Sequence, residues 1–156
     1  MITVTIPGYG ALQLSYLVMD YNGTLALDGQ LLDGVSERLL SLSQHLELHV
    51  VTADTFGRAQ NALTQLPCTL QVLPREQQSE AKQNYVRRLG ANFTVAMGNG
   101  RNDRLMLAEA VLGIGLILGE GACYSTLAAA DVVCTSATDA LDLLQFPLRL
   151  TATLRS

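Results

Sequence analysis

The feature that most constrains the fold is a regular alternation of short apolar runs with segments of helical periodicity. Tyr16–Met19 is a continuous apolar run, which is typical of a central strand buried on both faces. A segment with leucines at helical spacing follows it, and a second apolar run comes at residues 48–51. Because strands and helices that alternate along a chain form a parallel sheet covered by helices, the pattern predicts an α/β, three-layer, doubly wound, Rossmann-like fold.

The same alternation continues through the rest of the chain. Further strands are predicted at residues 69–73, 93–97, 114–118 and 132–134, and helices at 35–46, 59–66, before Gly90, 103–112, 127–130 and 137–144. Asp54 or Thr55 can cap the second of these helices. Ahead of the alternation, residues 2–6 and 12–14 flank Pro7-Gly8-Tyr9-Gly10, which predicts a small N-terminal β-hairpin.

Length and composition restrict the class of protein. A chain of 156 residues, 49% hydrophobic and 15% charged, fits a single globular domain spanning 1–156. Its longest near-apolar run, 111–118, is too short to cross a bilayer, and residues 2–6 form no signal core, so a cytoplasmic protein without a membrane partner is expected. A net charge of −4, with no basic cluster beyond Arg87-Arg88, disfavours nucleic acid as a partner. Three cysteines without Cys-x-x-Cys spacing favour neither disulfides nor zinc.

Polar residues follow the predicted strands where each one ends. They are Asp20-Tyr21-Asn22-Gly23-Thr24, Thr52-Ala53-Asp54 and Gly98-Asn99-Gly100-Arg101-Asn102-Asp103. Ligands of doubly wound sheets bind at the carboxyl ends of the strands, so these side chains are candidates for a site. The chain has nine arginines but a single lysine, Lys82. Its presence suggests a position that needs a compact ammonium group.

The order of these residues resembles the four motifs of the haloacid dehalogenase-like superfamily, and most closely the proteins described as soluble P-type ATPase-like. The resemblance runs from about residue 17 to about residue 144. It implies that Asp20 attacks phosphorus to form an aspartyl phosphate, that Thr52 hydrogen-bonds the phosphoryl group and that Lys82 balances charge. It further implies Mg²⁺ ligands at Asp20, Asn22, Asn99 and Asp103, and phosphate-binding residues at Gly23, Thr24, Thr52, Ala53, Lys82 and Asn102.

The chemistry of the residues agrees with this resemblance. Phosphoryl transfer spreads negative charge over three oxygens, so catalysis is largely positioning and stabilisation by cations. Two carboxylates, Asp20 and Asp103, are suited to a hard cation, and Lys82 adds a second positive charge. Gly23 and Gly100 permit a close approach of the backbone, whose free N–H groups can bind phosphate.

The sequence departs from the superfamily in two residues and in its spacing. Asn22 stands where phosphatases of the superfamily have the aspartate that serves as general acid and base, and Asn99 replaces an aspartate in Gly-Asp-Gly-x-Asn-Asp. Metal binding and turnover should both be weak as a result. The gaps from Thr24 to Thr52 and from Thr52 to Lys82 each hold one helix and one strand, which leaves no room for a cap domain. An uncapped site needs a macromolecular substrate or a neighbouring subunit to exclude water.

Three functions are compatible with these residues. The first is a magnesium-dependent phosphohydrolase acting on a phosphorylated small molecule or a phosphoprotein. The second is a phosphate-binding or regulatory pseudoenzyme on the same fold. The third, a nucleotide-binding module, is disfavoured because the dinucleotide fingerprint and the Walker lysine are absent, and Gly113-x-Gly115 is interpreted as a packing feature.

Two further expectations follow from the sequence. A homo-oligomer is expected from the missing cap and from apolar terminal segments, 2–14 and 146–154, that could be left over from the core. His45 and His49 have the spacing of a metal pair, but they straddle a helix-to-strand junction and are expected to be structural.

Overall fold

The computed structural model describes residues 1–53 and 57–156. In chain order the strands are β1 Ile2–Ile6, β2 Gly10–Leu14, β3 Tyr16–Met19, β4 Ala26–Leu27, β5 Gln30–Leu31, β6 Glu47–Thr52, β7 Cys68–Val72, β8 Thr94–Gly98, β9 Leu112–Leu116 and β10 Val132–Cys134. The helices are α1 Val35–Leu42, α2 Arg58–Leu63, α3 Gln78–Leu89, α4 Arg104–Glu109, α5 Tyr124–Leu127, α6 Ala137–Gln145 and α7 Pro147–Leu154.

Six strands form one parallel sheet with the order β10-β9-β8-β3-β6-β7. The chain leaves the central strand β3 toward β6 and β7 on one side, and it later fills the other side with β8, β9 and β10. The strand order therefore reverses between β3 and β8, and this topological switch point is where doubly wound sheets bind ligands. The predicted doubly wound parallel sheet is confirmed.

The sheet is covered on both faces because successive side chains of a strand point to opposite sides. Leu17 and Met19 of β3 enter a core shared with α1, α2 and α6. Val18, between them, enters a second core that contains Val86 of α3 and Leu107 of α4. Two cores on opposite faces of one sheet give the three predicted layers.

The predicted N-terminal hairpin is confirmed, but its position corrects one expectation. Strands β1 and β2 pair antiparallel, with Ile2 opposite Leu14. Ile6 and Leu14 are buried in the first core, as is Leu150 of α7. Each terminal segment therefore contributes residues to the core, although Phe146 and Leu148 at the start of α7 stay exposed.

Several elements differ from the sequence prediction. The apolar spacing predicts helices at 35–46, 103–112 and 127–130. In the structure α1 ends at Leu42, α4 ends at Glu109 and α5 covers 124–127. The small antiparallel hairpin β4–β5 and the helix α7 were not predicted. Asp54 and Thr55, the expected helix cap, lie outside the described residues, and the domain count stays a prediction.

No large insertion accompanies the sheet in the described ranges. Between β3 and α1 the chain forms only the β4–β5 hairpin, so the structure agrees with a fold without a cap domain. Within the same ranges no helix combines the length and the apolar composition that crossing a bilayer requires.

The glycines of β9 can be tested as packing residues. A Cβ on Gly113 would lie 2.7 Å from the backbone oxygen of Leu107, whereas one on Gly115 would meet the end of the Leu127 side chain at 2.9 Å. We expect Gly113→Ala to lower the free energy of unfolding by about 1–3 kcal/mol, because a backbone cannot move aside as a side chain can. Urea unfolding should show a smaller loss for the control Gly115→Ala, and equal losses would contradict the backbone contact as the cause.

Candidate active site

Asp20 directly follows the central strand at the switch point. Its backbone N–H donates to the oxygen of Met97 at 3.0 Å, which extends the pairing of β3 with β8 by one residue. The start of the next loop is therefore held by the sheet, and the side chain of Asp20 projects from a fixed base. That side chain is 13% exposed.

Lys82 reaches Asp20 from the buried face of α3. Lys82, Tyr85 and Val86 have the i, i+3, i+4 spacing of one helical face, and all three are buried. The Nζ atom of Lys82 donates to Oδ1 of Asp20 and to Oδ1 of Asp103, each at 2.6 Å. The chain's single lysine thus forms a bridge between two carboxylates that come from different strand ends.

Besides binding Lys82, Asp103 holds the loop after β8 in place. Its Oδ2 accepts the backbone N–H groups of Asn99 at 3.0 Å and Gly100 at 2.9 Å. A Cβ on Gly98 would lie 2.6 Å from the same oxygen, so glycine is required there for the carboxylate to fit. Both oxygens of Asp103 are consequently engaged by the protein itself.

The charges of this cluster perturb one another. Burial, followed by the charge of Asp103, raises the pKa of Asp20, and Lys82 opposes this shift. Burial alone would lower the pKa of Lys82, but the charges of Asp20 and Asp103 outweigh it, so the pKa is raised and the ammonium stays charged. A further cation beside Asp20 would favour its ionised form.

The loop after Asp20 is tied to the β4–β5 hairpin. Oδ1 of Asn22 accepts the backbone N–H of Gly29 at 2.9 Å, and the hydroxyl of Tyr21 donates to the oxygen of Gly29 at 2.9 Å. The oxygen of the Asn22 amide is therefore directed at the hairpin. Its NH₂ group is left as the part that can donate to a ligand.

The loop after β8 meets the same region from the other side. Nδ2 of Asn99 donates to the oxygen of Gly121 at 3.0 Å, and its Oδ1 lies 3.5 Å from the hydroxyl of Thr24. Gly23 has a φ of +80°, and its N–H donates to the oxygen of Ala26 at 2.7 Å. This positive φ closes the turn that brings Thr24 against Asn99.

These loops border a cleft of about 380 Å³, which is large enough for a small phosphate ester. It is lined by Asp20, Asn22, Thr52, Ala53, Arg75, Gln78, Asn99, Gly100, Asn102 and Glu120. Six of the predicted site residues thus line one cleft. Lys82, Asp103 and Thr24 are fully buried.

Three lining residues were missed by the sequence analysis. Gln78, at the start of α3, accepts a hydrogen bond from Nδ2 of Asn102 at 2.7 Å, and Arg75 lies just ahead of it in the chain. Glu120 follows β9, a strand end for which the sequence analysis predicts no site residue. The same strand-end rule, applied to β9, would have found it.

A metal would find oxygen donors here, although no ready-made cluster. In the described ranges, no group of three or more histidine, cysteine, aspartate or glutamate side chains could hold an ion. Asp20 offers a carboxylate oxygen and Asn99 an amide oxygen, which suit a hard cation, whereas the side-chain oxygen of Asn22 is engaged by Gly29. His49 lies apart from the cleft: it is buried, and its Nδ1 is 2.9 Å from the hydroxyl of Tyr85.

The fold is the haloacid dehalogenase-like fold. A 3-deoxy-D-manno-octulosonate 8-phosphate phosphatase from Moraxella catarrhalis, solved with magnesium, phosphate and the KDO molecule, superposes with a TM-score of 0.67 at 17% identity, over 89% of this chain and 92% of that one. The cobalt-bound deoxy-D-mannose-octulosonate 8-phosphate phosphatase from Haemophilus influenzae gives a TM-score of 0.70 at 13% identity, over 89% of each chain. A zinc-transporting PIB-type ATPase gives 0.60 at 21% identity, over 79% of this chain and 20% of that one.

The sequence comparisons identify relatives without an assigned activity. This chain is 44% identical to the uncharacterized protein MJ0072 of Methanocaldococcus jannaschii over 39 residues, which are a quarter of this chain and 89% of MJ0072. The chain belongs to the family of that protein. It is 49% identical over 61 residues to MJ0073 of the same organism, covering 39% of this chain and 66% of that protein. No family model matches the chain.

The bridge made by Lys82 predicts a large effect on stability. We expect Lys82→Met to lower the free energy of unfolding by about 3–5 kcal/mol, because it leaves two neighbouring carboxylates without their counter-charge. The control is Arg38→Met, which breaks the 2.7 Å pair with Asp142 at a site still in contact with water and should cost about 1 kcal/mol. Equal losses in urea unfolding would show that the buried bridge has no special weight.

Proposed function

We propose that this chain is a magnesium-dependent phosphohydrolase that works through an aspartyl phosphate at Asp20, with low or narrow activity. The observation that carries the proposal is the buried ammonium of Lys82, 2.6 Å from both Asp20 and Asp103 at the switch point of the sheet. A carboxylate nucleophile and a fixed positive charge at a ligand-sized cleft are what phosphoryl transfer needs. The proposed substrate is a phosphorylated small molecule or a phosphoprotein.

The reaction has two displacements at phosphorus. In the first, an oxygen of Asp20 attacks phosphorus, and the bond to the leaving oxygen breaks with its electron pair. In the second, water attacks the aspartyl phosphate, the bond between phosphorus and Asp20 breaks, and inorganic phosphate departs with the carboxylate restored. Each step needs the phosphoryl oxygens to be held still while their charge is stabilised.

The lining residues suit this holding role. Lys82 donates to both carboxylates and is fully covered, so its charge would stabilise the phosphoryl group from behind Asp20 rather than by direct contact. The hydroxyl of Thr52, the backbone of Ala53 and the amide of Asn102 line the cleft and can bind the same group. Gly23 and Thr24 shape the loop next to Asp20.

For magnesium, we propose that Asp20 and Asn99 provide side-chain oxygen donors, and that Asn22, whose Oδ1 is engaged by Gly29, contributes its backbone oxygen. Asp103 would contribute by positioning the loop of Asn99 and Gly100, since hydrogen bonds already engage both of its oxygens. Magnesium usually takes only one or two carboxylates and shares the substrate's phosphate oxygens, which fits a site without a ready-made acidic cluster. Bound there, it would supply neutralisation of the phosphoryl charge.

Asn22 is the residue that sets the kinetics. An amide cannot give or take the proton that a general acid–base transfers, a contribution of about 10²- to 10⁴-fold. Leaving groups that depart unprotonated, such as nitrophenolate, should still be expelled. Water should attack the aspartyl phosphate slowly, and alkyl phosphates should react poorly.

Asn22→Asp should reverse these limits. Its carboxylate can keep the hydrogen bond from Gly29 with one oxygen and turn the other toward the cleft. We expect rapid-quench kinetics to show a burst with nitrophenyl phosphate in the wild type, and faster dephosphorylation with new activity on alkyl esters in the variant. Asp20→Asn is the control without a nucleophile. Unchanged kinetics in Asn22→Asp, with the control inactive, would show that residue 22 has no acid–base position.

A phosphate-binding or regulatory pseudoenzyme is the second candidate. The observation that favours it is the pair of amides, Asn22 and Asn99, at positions where the resemblance leads one to expect carboxylates. The rapid-quench experiment separates the two, because a pseudoenzyme forms no phosphoenzyme with magnesium present.

We also propose that the chain forms a homo-oligomer. The cleft has no cap among the described residues, and Phe146 and Leu148, at the start of α7, are 50% and 84% exposed. Exposed apolar side chains of this size commonly lie in contacts between subunits. Sedimentation velocity at micromolar concentration should show an oligomer that Leu148→Glu weakens, and a wild-type monomer would contradict the proposal.

A further inference from the structure

Glu120 lies at the mouth of the cleft on a turn that is fixed in place. The turn is closed by a bridge between Leu118 and Gly121, and Gly121 has a φ of +73°. It is fastened twice to Asn99: Nδ2 of Asn99 donates to the oxygen of Gly121 at 3.0 Å, and the N–H of Cys123 donates to the oxygen of Asn99 at 2.8 Å. The position of Glu120 relative to Asn99 is therefore set by the backbone.

The carboxylate of Glu120 and the amide of Asn99 come together over the Asp20 loop. A Cβ on residue 23 would collide with Oε2 of Glu120 and would lie 2.5 Å from Nδ2 and 2.7 Å from Oδ1 of Asn99. The absence of a side chain at Gly23 gives both groups this space. Glu120 and Asp20 line the same cleft, with Asn99 also in its wall.

This carboxylate is not neutralised by the surrounding protein. In the parts of the chain that the structure describes, no hydrogen bond or ion pair engages the Glu120 side chain. By contrast, Asp20 and Asp103 share Lys82, and both oxygens of Asp103 accept hydrogen bonds. Glu120 thus adds an available anionic oxygen donor beside a neutral amide.

From this geometry we propose that Glu120 is the second carboxylate of the magnesium site and provides the charge that Asn99 lacks. The proposal rests on the metal dependence of the proposed function. An ion bound by one carboxylate from the loop after β3 and one from the loop after β9 has the charge count that magnesium usually takes from a protein. The turn at 118–121 is then a part of the site, and Asn99 both lies beside the ion and holds that turn.

The test is magnesium binding by the full chain, measured by titration calorimetry without substrate. Glu120→Gln keeps the size of an exposed side chain and removes its charge. We expect it to weaken Mg²⁺ binding by about tenfold or more, since the number of charged ligands sets the affinity of such sites. Glu37→Gln removes the same charge from the first turn of α1 and should bind magnesium as the wild type does.

Thermal unfolding provides a second measurement that does not depend on titration calorimetry. Magnesium should raise the melting temperature of the wild type and of Glu37→Gln, and it should raise that of Glu120→Gln less, because a ligand stabilises the folded state according to its affinity. Melting without magnesium should be the same for all three chains, which shows that the variants fold.

The outcomes separate this proposal from the proposed function. Equal magnesium affinity in Glu120→Gln and the wild type would overturn the role of Glu120, as would a wild type that binds no magnesium at millimolar concentration. If Glu120→Gln alone binds weakly while rapid-quench experiments find no phosphoenzyme, the metal assignment stands and the phosphohydrolase proposal fails.

Discussion

The buried bridge from Asp20 through Lys82 to Asp103 is the interaction on which the rest of the site depends. Removing three charged groups from water is costly, and only their mutual attraction and further hydrogen bonds offset that cost. The bridge connects the ends of β3 and β8 and a helix on one face of the sheet. It fixes the loop after β8 as well, because Asp103 also accepts two backbone N–H groups. Stability and the proposed chemistry therefore depend on the same three side chains.

The architecture explains why these particular residues converge. β3 and β8 are neighbours at the switch point, so the loops that follow them leave the sheet side by side. Helix α3 packs on one face with Lys82 on its buried side, which brings a long ammonium up to the edge of the sheet. The turn at 118–121 borders the cleft through Glu120, and the β4–β5 hairpin supports the loop that carries Asn22. Each is held by a side chain from a central loop, Asn22 for the hairpin and Asn99 for the turn.

Much of this arrangement could be predicted because it follows from local patterns. The apolar runs gave the positions of the parallel strands within a residue or two, and the residues after β3 and β8 matched known motifs in order. Other parts escaped the periodicity argument. Two-residue strands such as β4 and β5 are too short for alternation to register, although Asp28-Gly29 is a hairpin signal. Pro147 at the start of α7 is a helix signal that also went unused.

The part of the site that could not be predicted depends on tertiary contacts. Which atoms of Asn22 and Asn99 remain available is decided by Gly29 and Gly121, and those partners are distant in sequence or in different loops. The closeness of Glu120 to Gly23 is likewise a result of how two loops pack. Motif order indicated which residues to consider, but the direction of each polar atom came only from the structure.

The burial of Lys82 also governs how the protein meets amine-directed reagents. It is the only lysine in the chain, and its side chain is fully covered. Acylating dyes and acetyl donors should therefore leave Lys82 unmodified in the folded chain. The rate of acylation at Lys82 would then report the rate at which the structure opens locally, because a reagent can reach the ammonium only when the bridge and the packing around it come apart.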